Sequence, residues 1–179
     1  LNVFDSHFHI INPNYPLVPN NGYLPPVFTV QNYREKVQEF GVTGGVIVSG
    51  SFQQFEQQYL IDALHILGKS YFGVANIPME MQERELEKLH AANIRAVRFN
   101  LRRGGSEHLS NMVALANKLF DRFGWHSELY VDSKTLVNLR KILHQIPAFS
   151  IDHLGLSRDG LSELYYWVEK GAKIKATGF

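Results

Sequence analysis

Ile94-Arg95-Ala96-Val97-Arg98-Phe99-Asn100-Leu101-Arg102 carries the apolar and β-branched content of a strand, but its two faces differ. Because side chains alternate across a strand, Ala96, Arg98, Asn100 and Arg102 share one face, and Val97, Phe99 and Leu101 share the other. The next strand-like run repeats the split, with His126, Glu128, Tyr130 and Asp132 opposing Ser127, Leu129 and Val131. Strands of an open doubly wound sheet are covered by helices on both sides and read as continuous apolar runs. One apolar and one polar face instead predict helices outside and a crowded polar interior, as in the upper part of a closed βα barrel.

On either side of these runs, short apolar stretches alternate with longer segments of helical period. Strands are predicted over residues 1–10, 45–49, 71–77, 94–101, 125–131, 148–154 and 172–177, and helices over 30–40, 53–67, 82–91, 109–123, 133–145 and 161–170. Met112, Leu115, Ala116, Leu119 and Phe123 recur at spacings of three and four, which is one apolar helix stripe. Ser133 stands where a helix N-cap is expected, and Gly41, Gly124 and Gly171 stand where helices should stop. Strict alternation of strand and helix implies parallel strands with right-handed crossovers. The first βα turn also lacks the glycine-rich phosphate fingerprint of a dinucleotide fold. The fold read from this pattern is an α/β TIM (β/α)8 barrel, residues 1–179 forming a single domain. A complete barrel takes about 250 residues, so about seven strands are expected here and the eighth is missing, either lying beyond Phe179 or absent from a truncated barrel.

With 45% hydrophobic residues the chain can bury a core, and its formal net charge of +1 gives no basic surface for nucleic acid or membranes. The absence of cysteine removes disulfides, thiolate nucleophiles and cysteine-bound metal. No apolar stretch approaches the roughly 20 residues of a membrane span. A cytoplasmic protein, with a small anionic molecule as its partner and a homo-oligomer as its assembly, is the expectation. Residues 12–28 form a long first βα connection with Pro13, Pro16, Pro19, Pro25 and Pro26, together with Tyr15 and Tyr23. In a barrel this loop lies on the active-site face, as a pocket wall or lid or as a packed surface excursion.

Asp5-Ser6-His7-Phe8-His9 places two imidazoles on one strand face, able to converge on one ion or one oxyanion. Asp5 shares that face on simple alternation and is expected to orient an imidazole. Arg98 aims its fork into the barrel, suited to a carboxylate, or else pairs with Glu128 on the neighbouring strand. Asn100 follows on the same face. Arg102 and Arg103 stand at the strand mouth, and Ser49, Ser51 and Asn76 end the second and third strands, as substrate contacts or as caps. Tyr130 can offer its hydroxyl to the pocket or simply pack. Lys175 and Thr177 face inward on the last strand.

The Asp-Ser-His-Phe-His run resembles the opening motif of the amidohydrolase superfamily. Ile151-Asp152-His153-Leu154-Gly155 resembles the sixth-strand motif of its amidohydrolase-2 branch, and Val97-Arg98-Phe99-Asn100 the fourth-strand run. Within that branch the chain is most similar to the pyrone-dicarboxylate lactonase group. The resemblance implies that His7, His9 and His153 are catalytic and, in metal-using members, ligate one divalent ion, zinc first among the candidates. In the lactonases they act without a required metal. It also implies an aspartate at the end of the eighth strand as the base that activates water. Glu128 and Tyr130 in the fifth-strand positions argue against a two-metal centre. Hydrolysis of a lactone or similar cyclic ester of a small carboxylated substrate is the implied reaction, with Arg98, Asn100, Tyr130 and Ser49 contacting the substrate. A metal-dependent decarboxylase of the same superfamily and a non-catalytic truncated barrel are the alternatives.

Overall fold

The structure is a computed structural model and describes residues 2–177. Seven strands, β1 (Val3–Phe8), β2 (Val42–Val48), β3 (Tyr71–Ala75), β4 (Ile94–Asn100), β5 (His126–Tyr130), β6 (Phe149–Ile151) and β7 (Lys173–Ile174), alternate with six helices. These are α1 (Val30–Val37), α2 (Gln58–Leu67), α3 (Glu83–Ala91), α4 (Leu109–Phe123), α5 (Leu136–Leu143) and α6 (Leu161–Glu169). The strands pair in chain order, all parallel, in one sheet. That sheet curls. His7 of β1 lies 3.6 Å from Glu128 of β5 and 3.4 Å from Asp152 just past β6, contacts that a flat sheet with strands about 4.8 Å apart forbids. This is the TIM-barrel architecture, followed through seven strands.

Alternation divides the residues as the sequence predicts. Ile47, Val97, Phe99, Leu129 and Ile151 face outward and pack with Leu60, Leu86, Met112, Leu119 and Trp167 of the helices in one continuous core. Val48, Val74 and Ala96 form a small cluster on the inner side. Gly73 is required by this packing, since a Cβ there would stand 2.8 Å from Ile94 Cγ1 and 3.0 Å from Leu64 Cδ1. No helix among the described residues is long and apolar enough to cross a membrane.

Three local departures from the predicted pattern shape the site. In β1, Asp5 pairs with Gly45 and Phe8 with Ile47, so three steps on one strand match two on the other. This bulge inverts the parity. Asp5 therefore shares the outer face with Phe8, whose ring stacks on Tyr33 of α1 at 3.7 Å, and Asp5 sits beside the Tyr33 hydroxyl. Its Oδ1 accepts the backbone N–H of His7 at 3.2 Å, so Asp5 does not orient an imidazole as expected. At the start of α2 a short 3-10 turn (Ser51–Gln53) ends where Gln54 takes φ 47 and ψ −122, which delays the helix to Gln58. Ahead of α5 runs a 3-10 turn (Ser133–Thr135) capped by Asp132, which accepts from Lys134 N at 3.2 Å, and not by Ser133, whose hydroxyl donates to Ser157 O.

The proline-rich loop is tied down at several points. Ile11 and Phe28 exchange backbone hydrogen bonds at its base, and Val18 N donates to Phe52 O midway. At the tip Asn20 and Tyr23 close a turn whose central residues, Asn21 (φ 50) and Gly22 (φ 77), are left-handed. The tip reaches across the barrel mouth, where Asn20 Nδ2 donates to Arg103 O at 3.2 Å.

Candidate active site

The bulge leaves His7 and His9 pointing inward at the C-terminal end of β1. His153 reaches the same place by a different route. Alternation along β6 puts Ser150 and Asp152 inside, so His153 should face the helices. The strand instead ends at Ile151, and His153, Leu154, Gly155 and Leu156 all take positive φ, from 50 to 66. A run of left-handed residues is costly for side chains other than glycine, and such strain concentrates at functional sites. Its result is an imidazole swung over the barrel mouth, its ring centroid 4.6 Å from that of His7; the His9 ring lies 5.1 Å from His7.

Each of the two outer imidazoles is held through Nδ1. That of His9 lies 2.6 Å from Val48 O, and that of His153 lies 3.0 Å from both the carbonyl and the hydroxyl of Thr177. Such contacts fix the tautomer and leave Nε2 with its lone pair. Beneath them, two carboxylates are clamped by cations. Arg98 donates from Nε (3.2 Å) and Nη2 (2.9 Å) to Oδ2 of Asp152, and from Nη1 to Ser49 O (2.9 Å). Lys175 donates to Oε2 of Glu128. Asp152 and Glu128 are fully buried. Burial pushes the His7 ring down to about 4 and the His9 ring to about 3, with the Arg98 charge adding to both. Both are neutral at neutral pH. Burial also disfavours the Asp152 charge, but His7 and Arg98 beside it outweigh this and hold the carboxyl below its ordinary range. Burial, then Asp152, push Glu128 upward against the pull of Lys175 and Arg98.

Among the described residues, His7 Nδ1 and Nε2, Asp152 Oδ1 and Glu128 Oε1 are buried without a hydrogen-bond partner. Unsatisfied polar atoms this concentrated suit a small polar or ionic guest. Ligand atoms of His7, Asp152 and His153 lie within 4.8 Å of one another, a two-nitrogen, one-oxygen set that fits a divalent ion. Of the expected trio, His7 and His153 fall in this mutually reachable set together with Asp152, and His9 lies beside it. Asp152 stood inside a quoted motif without a role; its inward parity with Ser150 was the signal for it.

Above this cluster opens a cleft of about 210 Å³ lined by His9, Phe52, Arg98, Arg103, Tyr130 and His153, with Asn20, Tyr23 and Asn100 also at its wall. The Tyr130 ring takes guanidiniums at 5.2 Å (Arg98) and 5.8 Å (Arg103), and His153 meets it edge-on at 5.7 Å. The Arg98 fork is spent on Asp152, neither free for bidentate capture of a substrate nor paired with Glu128, its register partner across β4 and β5. Three of its N–H groups are used, which leaves two of an arginine's five. Asn100 is buried and its Oδ1 holds Arg103 N at 2.8 Å, shaping the turn that carries the rim arginine. The Ser49 hydroxyl turns away from the cleft to Gln57 and Tyr59, so Ser49 serves the site through its carbonyl. Asn76 ties Gly50 O to Gly105 O, a brace between loops. Arg102 is half-exposed and lies 3.8 Å from Asp132. Phe52 and Asn20 were not assigned from sequence: Phe52 arrives on the Ser51–Gln53 turn and Asn20 on the tied-down loop, whose Tyr23 stands at the cleft as a pocket wall.

The sequence pattern of a family described as amidohydrolase matches residues 4–175. The chain is 25% identical over 156 residues to a 2-pyrone-4,6-dicarboxylate hydrolase of Comamonas testosteroni, covering 84% of this chain and 51% of that protein. It is 28% identical over 129 residues to a 4-sulfomuconolactone hydrolase of Rhizobium radiobacter, covering 70% and 42%. A crystal structure of a probable 2-pyrone-4,6-dicarboxylic acid hydrolase from Acinetobacter baumannii, with citric acid bound, superposes with a TM-score of 0.83 at 26% identity, covering 99% of this chain and 71% of that one. The chain thus spans about half the length of the curated relatives it matches.

Proposed function

This chain belongs to the amidohydrolase family, and from that premise we propose that its cleft opens the ring of a small carboxylated lactone or similar cyclic ester. The observation that carries the reading is the stacking of two layers, inward imidazoles below and an arginine-lined rim above, within one cleft. In the reaction, water adds to the ester carbonyl carbon, the ring C–O bond breaks, and the departing oxygen takes a proton. Arg103 and the remaining N–H groups of Arg98 bind the substrate's carboxylate and the carbonyl oxygen, where negative charge develops. His9, neutral and locked with Nε2 unprotonated, accepts a hydrogen bond from the attacking water and orients it. Tyr130 positions both arginines, and Phe52 and Tyr23 exclude bulk water. A divalent ion, zinc suiting this ligand set best, would be held by His7, His153 and Asp152, and when bound it supplies Lewis-acid polarisation and a more acidic water. The similarity to a pyrone-dicarboxylate hydrolase and a sulfomuconolactone hydrolase, both named for anionic cyclic esters, supports this substrate class. So does the citric acid in the solved relative.

The test is ring opening by the full-length protein of a carboxylated pyrone, a muconolactone and an aldaric lactone, followed by absorbance and proton release. Turnover of at least one is expected, and His153→Ala should reduce it by about 10²–10⁴-fold without unfolding. No turnover of any, with or without added divalent ions, would overturn the reading. The His7–Asp152–His153 set also favours a second reading, a metal-dependent decarboxylase. Release of carbon dioxide, abolished by a chelator, would distinguish it.

A further inference from the structure

Two buried carboxylates converge on one imidazole nitrogen. Each has one oxygen taken by a cation and the other left over. On Asp152, Oδ2 accepts both Arg98 N–H groups, and the free Oδ1 lies 3.4 Å from His7 Nδ1. On Glu128, Oε2 accepts Lys175, and the free Oε1 lies 3.6 Å from the same Nδ1. Among the described residues neither free oxygen has another partner, nor does either nitrogen of the His7 ring. Once Glu128 is ionised, acceptor-only oxygens stand on both sides of this nitrogen and favour a hydrogen on it. An unprotonated Nδ1 there would place three lone pairs together in a dry interior, where unpaired polar groups are costly.

We propose that Lys175 is a positioning residue: by holding Oε2 of Glu128 it aims Oε1 at His7, fixing that ring as the Nδ1–H tautomer with Nε2 unprotonated. The inference rests on the site assignment above but needs no particular substrate. The lysine reaches the site because the backbone continues past β7 in extended pairing, with Lys175 N donating to Ile151 O at 2.9 Å. Two residues on, Thr177 holds His153. The same short stretch thereby sets two of the three imidazoles, one directly and one through Glu128. Lys175 is partly buried and already engaged, so its role differs from that of a Schiff-base nucleophile, which needs a free amine in contact with substrate.

The experiment is long-range ¹H–¹⁵N NMR of the histidine rings at about pH 9, where Glu128 is ionised, in protein freed of divalent ions by chelation, with no substrate present. In the unaltered protein His7 is expected as Nδ1–H; finding Nε2–H there overturns the proposal outright. Lys175→Arg should retain that tautomer. Lys175→Met should lose the single Nδ1–H form, and a folded Lys175→Met with His7 unchanged overturns the proposal. Should Lys175→Met not fold, Glu128→Gln serves instead. Lys175 will attract the amide oxygen and turn the NH₂ toward His7, so the ring should switch to Nε2–H; an unchanged ring again overturns the proposal. Because the readout is a tautomer, failure to find a lactone substrate leaves this result standing, and loss of the tautomer leaves the substrate class untouched.

Discussion

At the residue scale the site is a problem in placing charge where water is scarce. A buried carboxylate is tolerated when a cation answers it; Asp152 and Glu128 each have one oxygen held by a cation and the other left without a hydrogen-bond partner among the described residues. Arg98, with its inward fork, accordingly serves Asp152 first. The free guanidinium at the rim is Arg103, which is exposed, lines the cleft and leans over Tyr130. Arg103→Ala is therefore expected to raise KM for a carboxylated lactone by about 10- to 100-fold, the worth of one charge-assisted hydrogen bond. It should leave kcat within a few-fold, because the imidazole cluster lies below it. Steady-state kinetics against a carboxylated substrate and its methyl ester would check this, the ester being indifferent to the substitution. Equal loss with both would remove Arg103 from substrate recognition.

At the scale of elements, the turn at His153–Leu156 decides whether the third imidazole arrives. Gly155 sits in it at φ 66, and a Cβ there would come within 2.6 Å of Ser133 Cβ, on the turn that leads into α5. Gly155→Ala must strain the left-handed turn or push the two loops apart. A loss of about 2–4 kcal/mol in urea unfolding is expected, with turnover falling further than the population of folded protein explains. Activity that merely tracks folded fraction would mean the turn does not place His153. The same element shows what a sequence can reveal. The order of strands and helices is legible because periods of 2 and 3.6 differ over whole segments. The inward set Arg98, Asn100, Glu128 and Tyr130 follows from parity alone. Parity fails at Asp5, where a bulge adds one residue, and at His153, where the strand stops early. Motif resemblance supplied His153 at the position where alternation pointed the wrong way. The cation partners are illegible for another reason: Arg98 and Glu128 are neighbours in register, but curling brings Asp152 and Lys175 within reach of them, and curvature is set by the whole sheet.

At the scale of the molecule, a barrel interior that keeps imidazoles neutral ties folding to pH. Burial pushes His7 and His126 down to about 4 and His9 to about 3, from an ordinary 6.5, with nearby Arg98 and lysine charges adding to it. As pH falls below 6.5 the unfolded chain takes up three protons on these rings, and the folded chain refuses them until near pH 4. Stability from the histidines is thus present above 6.5 and lost on acidification. Glu128 acts in the opposite sense, since burial and Asp152 push it up to about 8 from 4.5. Its contribution is present below 4.5 and lost as pH rises toward 8. Between about pH 5 and 6, three imidazoles oppose one carboxyl, so the unfolded chain binds about two more protons. Stability should then rise with pH by up to about 3 kcal/mol per unit. Above about pH 7 the Glu128 effect dominates and stability should decline gently, placing the maximum near pH 7. Urea unfolding from pH 4.5 to 8 in the presence of a chelator would trace this curve, and a flat or falling limb between 5 and 6 would contradict it. His126→Gln isolates one proton of the difference. His126 faces the interior beside Ala96, away from the cleft lining. Its replacement should reduce the acid-limb slope by about 1.4 kcal/mol per unit while the decline toward pH 8, which belongs to Glu128, stays as it was.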